Sequence, residues 1–193
     1  MMHIVMFGPP GAGKGTQAGL LKDRLRFAYI ATGDLFRQHM KEQTELGRLA
    51  QTYIDRGDLV PDEVTIEMLK NEMAKYPDAP GIIFDGFPRT TVQAEALEKM
   101  LHDQGDKIDA VLALEVPEEV LISRILNRGK TSGRSDDAQR STVVKRLKKY
   151  RELTEPLKDY YRRKNVLRII NGLQDIETVH NDILQALGNM VRQ

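Results

Sequence analysis

Gly8-Pro9-Pro10-Gly11-Ala12-Gly13-Lys14-Gly15-Thr16 follows the apolar run Ile4 to Phe7 and opens a stretch with helical patterning. A strand, a glycine-bearing loop that ends in lysine, and a helix form the context in which a phosphate loop works. Glycines are required there because side chains would keep the backbone N–H groups from wrapping around phosphate oxygens. The helix N-terminus adds its partial positive charge. Lys14 then meets the β and γ oxygens of a nucleoside triphosphate. The plainer reading, a Gly/Pro turn with a solvated lysine, leaves both the spacing and the context unexplained. One departure stands out: the generic motif puts Ser or Thr directly after the lysine, whereas Gly15 intervenes here before Thr16. Thr16 is therefore displaced from the position of a direct magnesium ligand.

Outward from this loop, His3 to Phe7, Ala28 to Ala31, Gly81 to Phe84, Asp109 to Val116 and Val166 to Ile170 read as strands, with helical patterns between them. The runs show little polar alternation, as expected of strands buried on both faces, and helical crossovers imply a parallel sheet. The fold class is α/β. Two interruptions are expected: a strandless helical stretch from about Leu35 to Tyr76, suited to a small flap, and the polar segment Gly129 to Asp137, which reads as a mobile loop between two helices.

A chain of 193 residues, 40% of them hydrophobic, suits one domain with small appendages. Its 29 Lys and Arg against 28 Asp and Glu leave a net charge of +1, so no global field favours nucleic acid or an anionic membrane. The longest apolar runs fall far short of the roughly 20 residues of a membrane span, and the first residues do not read as a secretory signal. The absence of cysteine excludes disulfides and zinc–thiolate sites. A cytoplasmic enzyme is expected.

Gly81 to Phe84 ends in Asp85, a carboxylate placed to hold Mg²⁺ or its water shell beside the phosphate loop, although strands also end in an Asp that caps the next turn. An Asn-Lys-x-Asp segment and a His-Arg-Asp loop are both missing, which removes GTPases and protein kinases. What remains is a set of arginines, Arg37, Arg89, Arg124, Arg128, Arg134 and Arg146, several beside glycine or proline. They suggest a second anion site. A phosphate acceptor is already anionic at neutral pH and needs neutralising charge more than a general base, and planar guanidinium groups supply it bidentately.

On the phosphate loop, Thr32 to Arg37, Gly57 to Glu63, Asp85-Gly86-Phe87-Pro88-Arg89 and Arg128 to Asp137, the sequence resembles the nucleoside monophosphate kinases, most closely the short-lid adenylate kinases, over essentially its whole length. The resemblance implies a P-loop kinase fold of about five parallel strands. It divides the chain into a core (1–31, 77–128 and 138–193), an AMP-binding helical flap (32–76) and a short lid (129–137). It implies the reaction ATP + AMP ⇌ 2 ADP with Mg²⁺, held through water by Asp85 and Asp34, in a cytoplasmic monomer with nucleotides as its only partners. Gly11, Ala12, Gly13, Lys14, Gly15, Thr16, Arg124, Arg128 and Gln174 would serve ATP, Gln174 through its backbone. Thr32, Arg37, Asp58, Leu59, Val60, Gly86, Phe87, Pro88, Arg89, Gln93, Arg134 and Arg146 would serve AMP. Lys14, Arg89, Arg128, Arg134 and Arg146 would act on the phosphoryl group in flight. Asp137 to Arg146 is one residue longer than the usual short-lid spacing.

Two rival readings remain. A pyrimidine-accepting UMP/CMP kinase has a similar lid, but resembling members carry Ala in place of Thr32 and Asn in place of Gln93, whose longer amide suits an adenine edge. A catalytically idle nucleotide-binding regulator should have lost Lys14, Asp85, Arg89 or Arg134, and none is lost. The basic runs Lys145 to Arg151 and Arg162 to Lys164 read as solvated helix faces, with only Arg146 singled out, and the histidines as structural or exposed.

Overall fold

In the computed structural model, which describes residues 1–191, the chain alternates strands and helices from its start. It runs through β1 (Met2–Phe7), α1 (Lys14–Leu25), β2 (Ala28–Ala31), α2 (Thr32–Lys41), α3 (Glu45–Ile54), α4 (Asp62–Met73) and β3 (Gly81–Asp85). It continues through α5 (Thr91–His102), β4 (Ala110–Glu115), α6 (Glu118–Ser132), α7 (Arg140–Lys149), α8 (Leu157–Arg163), β5 (Leu167–Asn171) and α9 (Ile176–Leu187). The five strands pair in parallel in the order β2-β3-β1-β4-β5. Met6 lies opposite both Asp85 of β3 and Leu112 of β4, so the phosphate loop leaves the sheet beside the β3 carboxylate.

Side chains on successive strand residues point to opposite faces, and both faces are apolar. Ile4, Met6, Ala110, Leu112 and Leu114 pack with Ala18 and Leu21 of α1, Leu121 and Ile125 of α6, Leu147 of α7 and Ile183 of α9. Val5, Phe7, Ile82, Phe84, Val111 and Ala113 pack with Leu69 of α4, Leu97 and Leu101 of α5 and Tyr161 of α8. This burial on two sides is why the strand sequences lack alternation. Each large aliphatic side chain withdrawn fully from water contributes about 1.5–3 kcal/mol.

The helices expected from Leu35 begin three residues earlier, at Thr32, directly after β2. They enclose a small core of their own, Phe36, Ala50, Val60 and Met68. The first two helices cross at Gly47, where a Cβ would lie 2.0 Å from the carbonyl oxygen of His39, so only glycine lets the backbones meet. Thr44 caps α3 by accepting the Gly47 N–H at 3.0 Å.

The expected loop from Gly129 is half helix. α6 continues through Ser132 and stops at Gly133, whose φ of +67° closes the helix in a left-handed cap. Gly129 is no breaker here: it is a point of close approach, since a Cβ on it would lie 2.5 Å from the carbonyl oxygen of Asp137. Only Gly133 and the extended Arg134 separate it from a short 3₁₀ turn, Ser135–Asp137.

Candidate active site

The C-terminal ends of the parallel strands lie along one edge of the sheet, the position where open α/β sheets bind ligands. After β1 the chain turns through Gly13, at φ +95°, into α1, and Lys14 folds back so that its Nζ donates to the carbonyl of Pro9 at 3.0 Å. Burial pulls the Lys14 ammonium down to about 8, with nearby Arg89, Arg146 and Arg128 adding to the effect and Asp85 opposing it.

Gly15 occupies the place where the generic motif carries a hydroxyl. A Cβ on it would lie 3.6 Å from both Asp85 Oδ2 and the Tyr29 hydroxyl. Tyr29 donates that hydroxyl to Asp85 Oδ2 at 2.9 Å, and burial beside the carboxylate raises the phenol well above its ordinary range. Sequence reading missed Tyr29. Only the sheet register, which sets Ala31 of β2 against Asp85, brings the two together.

A cavity of about 490 Å³, within the usual range for small-molecule sites, gathers most of the expected residues. Gly11, Gly13, Lys14, Gly15 and Thr16 line it together with Asp34, Asp85, Arg128, Arg134 and Arg146. So do Thr32, Arg37, Asp58, Leu59, Val60, Gly86, Phe87, Pro88, Arg89 and Gln93. A neighbouring cleft of about 330 Å³ holds Ala12, Arg124 and Gln174 and shares Gly11, Gly13, Thr16 and Arg128 with the first. The Gln174 side chain is engaged with Asp182 at 2.7 Å, leaving its backbone to the cleft. Arg146 lies in the main cavity despite the longer spacing before it.

Cationic groups dominate these walls. Burial and the neighbouring Arg146 pull Arg89 down to about 10, still protonated at neutral pH. Arg134 is lowered by burial and by Arg37 and Arg128. Desolvated cations gathered on these walls suit an anionic ligand.

On the acceptor wall Gly86 O accepts from Thr32 Oγ1 at 2.9 Å and from Arg89 Nε at 2.7 Å. The Arg89 carbonyl in turn accepts from Thr154 Oγ1 at 2.8 Å, in a π-helical turn, Tyr150–Thr154, that follows α7. The Phe87 side chain is buried, so its expected role falls to backbone. Lys145, read in the sequence as part of a solvated face, instead donates to Asp58 Oδ2 at 2.9 Å, and Lys149 lines the cavity. The α7 face is turned toward the flap, a relationship that helical periodicity alone does not reveal.

Among the described residues no group of three or more His, Asp or Glu is placed to hold a bare metal ion. That suits Mg²⁺ on a nucleotide, which keeps several waters and takes only one or two carboxylates. Asp85 fits this role. Asp34, the other expected carboxylate, has its Oδ1 2.6 Å from Arg37 and 3.4 Å from Arg134. The latter contact joins the lid to the flap, as does Ser135 Oγ donating to Asp55 Oδ1 at 2.5 Å.

Residues 6–166 match the family model described as adenylate kinase. The chain is 45% identical over 190 residues to an adenylate kinase of Flavobacterium psychrophilum, covering 98% of this chain and all of that protein. It is 52% identical over 187 residues to one from a Synechococcus strain, covering 97% of this chain and 96% of that protein. With an adenylate kinase of Porphyromonas gingivalis the identity is 51% over 179 residues, 93% of this chain and 92% of that protein.

Proposed function

The chain belongs to the adenylate kinase family, and from that premise we infer that it transfers the terminal phosphoryl group of ATP reversibly to AMP, yielding two ADP. The observation that carries this reading is that Lys14 of the phosphate loop and Gln93, a neutral amide suited to a base, line one cavity whose walls also bear Arg37, Arg89, Arg128, Arg134 and Arg146.

In this reading Gly11 to Thr16 wrap the ATP phosphates, and Arg124, Arg128 and the Gln174 backbone receive the rest of the donor in the smaller cleft. Thr32, Arg37, Asp58 to Val60, Gly86 to Arg89 and Gln93 receive AMP. An oxygen of the AMP phosphate bonds to the γ phosphorus as the bond from that phosphorus to the β–γ bridging oxygen breaks. The attacking oxygen is already anionic, so no side chain need remove a proton. Lys14, Arg89, Arg128, Arg134 and Arg146 offset the charge on the group in transit. Asp85 would hold the water shell of a nucleotide-bound magnesium ion, which would supply positive charge to the donor phosphates. The flap is residues 32–76 and the lid 129–137, on a core of 1–31, 77–128 and 138–193. Closing them excludes water that would otherwise take the phosphoryl group.

One chain supplies both nucleotide walls, which supports action as a monomer. No helix among the described residues is long and apolar enough to cross a membrane, and the reading places the enzyme in the cytoplasm.

A coupled assay with ATP, Mg²⁺ and a panel of AMP, UMP, CMP and GMP tests the reading. ADP should form with AMP and cease when Mg²⁺ is chelated. Faster turnover of UMP or CMP would overturn it in favour of a pyrimidine-specific kinase.

A further inference from the structure

We propose that Asp62 is a positioning residue for base selection: with the Arg89 backbone it fixes the orientation of the Gln93 side-chain amide, so that the amide accepts adenine and rejects 6-oxopurines. The proposal rests on the assignment of Gln93 to the AMP base.

Gln93 is 2% exposed and stands in the first turn of α5, at the cavity wall. Both ends of its amide are engaged from within the protein. Oε1 accepts from the Arg89 N–H at 2.8 Å, and Nε2 donates to Asp62 Oδ1 at 2.9 Å. The two partners are chemically one-sided, because a carboxylate only accepts and a backbone N–H only donates. A flipped amide would set NH₂ against N–H and oxygen against carboxylate. One orientation is therefore enforced by chemistry, independent of how the two ends of an amide are told apart.

The supports are themselves held. Thr90 Oγ1 donates to the same Asp62 Oδ1 at 3.0 Å and accepts the Gln93 N–H at 3.2 Å, capping α5. Thr154 fixes the Arg89 peptide from the other side. Asp62 begins α4 and is not part of the cavity lining, so it acts from behind the amide.

An amide oxygen has two lone pairs and an NH₂ two hydrogens, so one of each remains for the cavity. That pair matches the Watson–Crick edge of adenine, whose 6-amino group donates and whose N1 accepts. Hypoxanthine and guanine reverse both, with an oxygen at position 6 and a hydrogen on N1. In the same ring placement they would face the fixed amide oxygen with oxygen and the fixed NH₂ with N–H. An amide free to turn over would accommodate them. Buried, unpaired polar groups are the strongest basis for such rejection.

The test compares kcat/KM for AMP, IMP and GMP at saturating MgATP in the wild type, Asp62→Asn and Asp62→Ala. Asn can present either oxygen or NH₂ to Gln93 and so no longer dictates its orientation, while Ala removes the partner and serves should Asp62→Asn not fold. The Arg89 half of the restraint persists in both, so relaxation is partial. The IMP-to-AMP ratio of kcat/KM should rise about tenfold, through KM more than kcat, with KM for ATP within about twofold. Asp62→Glu, again acceptor-only, should return the ratio toward the wild-type value. Equal losses for AMP and IMP, leaving the ratio unchanged, would overturn the proposal and reduce Asp62 to a helix-start residue. Failure of the wild type to use AMP would instead overturn the assignment beneath it.

Discussion

Arg128 grips Asp137 with two parallel contacts, Nε to Oδ2 at 2.6 Å and a terminal nitrogen to Oδ1 at 3.0 Å, and Arg146 reaches the same Oδ1 at 2.6 Å. Asp137 is fully buried. It is an internal counter-ion that keeps two arginines of the cleft neutralised and oriented while no nucleotide phosphate does so.

Asp137→Asn should destabilise the free enzyme by about 1–3 kcal/mol, because the partly buried Arg128 and Arg146 lose a fully buried charged partner. Burial alone would raise this carboxyl, yet Arg128 and Arg146 hold it below its ordinary value. Stabilisation from a lowered carboxyl is complete above the unfolded value near 3.9 and is lost as pH falls through the lower folded one. Thermal unfolding followed from pH 7 to pH 2 should show that part of the acid decline in the wild type and not in Asp137→Asn. Parallel curves would mean that the pair contributes nothing net.

Lys14→Met should fold normally and lose about two to three orders of magnitude in kcat, as expected when a charge aimed at the transferred group is removed. The wild type carries a second signature. With Lys14 lowered to about 8, the free enzyme sheds this proton above that pH, whereas bound phosphate favours the ammonium. Binding then requires proton uptake, and kcat/KM for MgATP should fall roughly tenfold per pH unit above about 8. Lys14→Arg, charged throughout, should remove the decline even if it turns over slowly. A wild-type profile flat to pH 9.5 would falsify the buried-lysine account.

Arg134→Lys keeps the charge and loses the planar fork. If the guanidinium serves the phosphoryl group in flight, kcat should drop by about 10²-fold by analogy with catalytic arginines, with little change in ATP affinity. Hydrogen exchange across residues 129–137 should slow when an inhibitor linking two nucleosides is bound. Slowing should be strongest from Gly133 onward, because Gly129 to Ser132 are already helical. A kinetically silent substitution with unchanged exchange would move the charge to another residue.

Gly47→Ala tests the flap. Its new methyl would meet backbone of α2 at 2.0 Å, so the two helices must separate, at a cost of about 1–3 kcal/mol or more. The helices carry Thr32 and Arg37. KM for AMP should rise several-fold while KM for ATP stays close to its original value, measured by varying each substrate in turn. A matching rise in both would place the damage outside the acceptor side.

Much of this protein was legible locally. The phosphate loop is a run of adjacent residues whose backbone shape is set by its own glycines and by the strand and helix it joins, so spacing alone reveals it. Strand positions were legible because burial on both faces leaves continuous apolar runs, and β2 and β3 begin where their sequences suggest. Family resemblance carried the arginines and Gln93 into the cleft. Tyr29, Asp62 and Lys145 were not legible, because each acts on a residue brought to it by packing: Asp85 across the sheet, Gln93 from another helix, Asp58 across the flap edge. The loop expected from Gly129 was misread for the same reason. A glycine at position 129 looks like a loop signal until the backbone of Asp137 is seen against it. Short-range geometry follows from residue order, since neighbours in the chain share one set of dihedral preferences. Contacts between residues 8 to 87 positions apart exist only after the hydrophobic layers have docked the helices on the sheet, and these set which way an amide faces and which charges are neutralised.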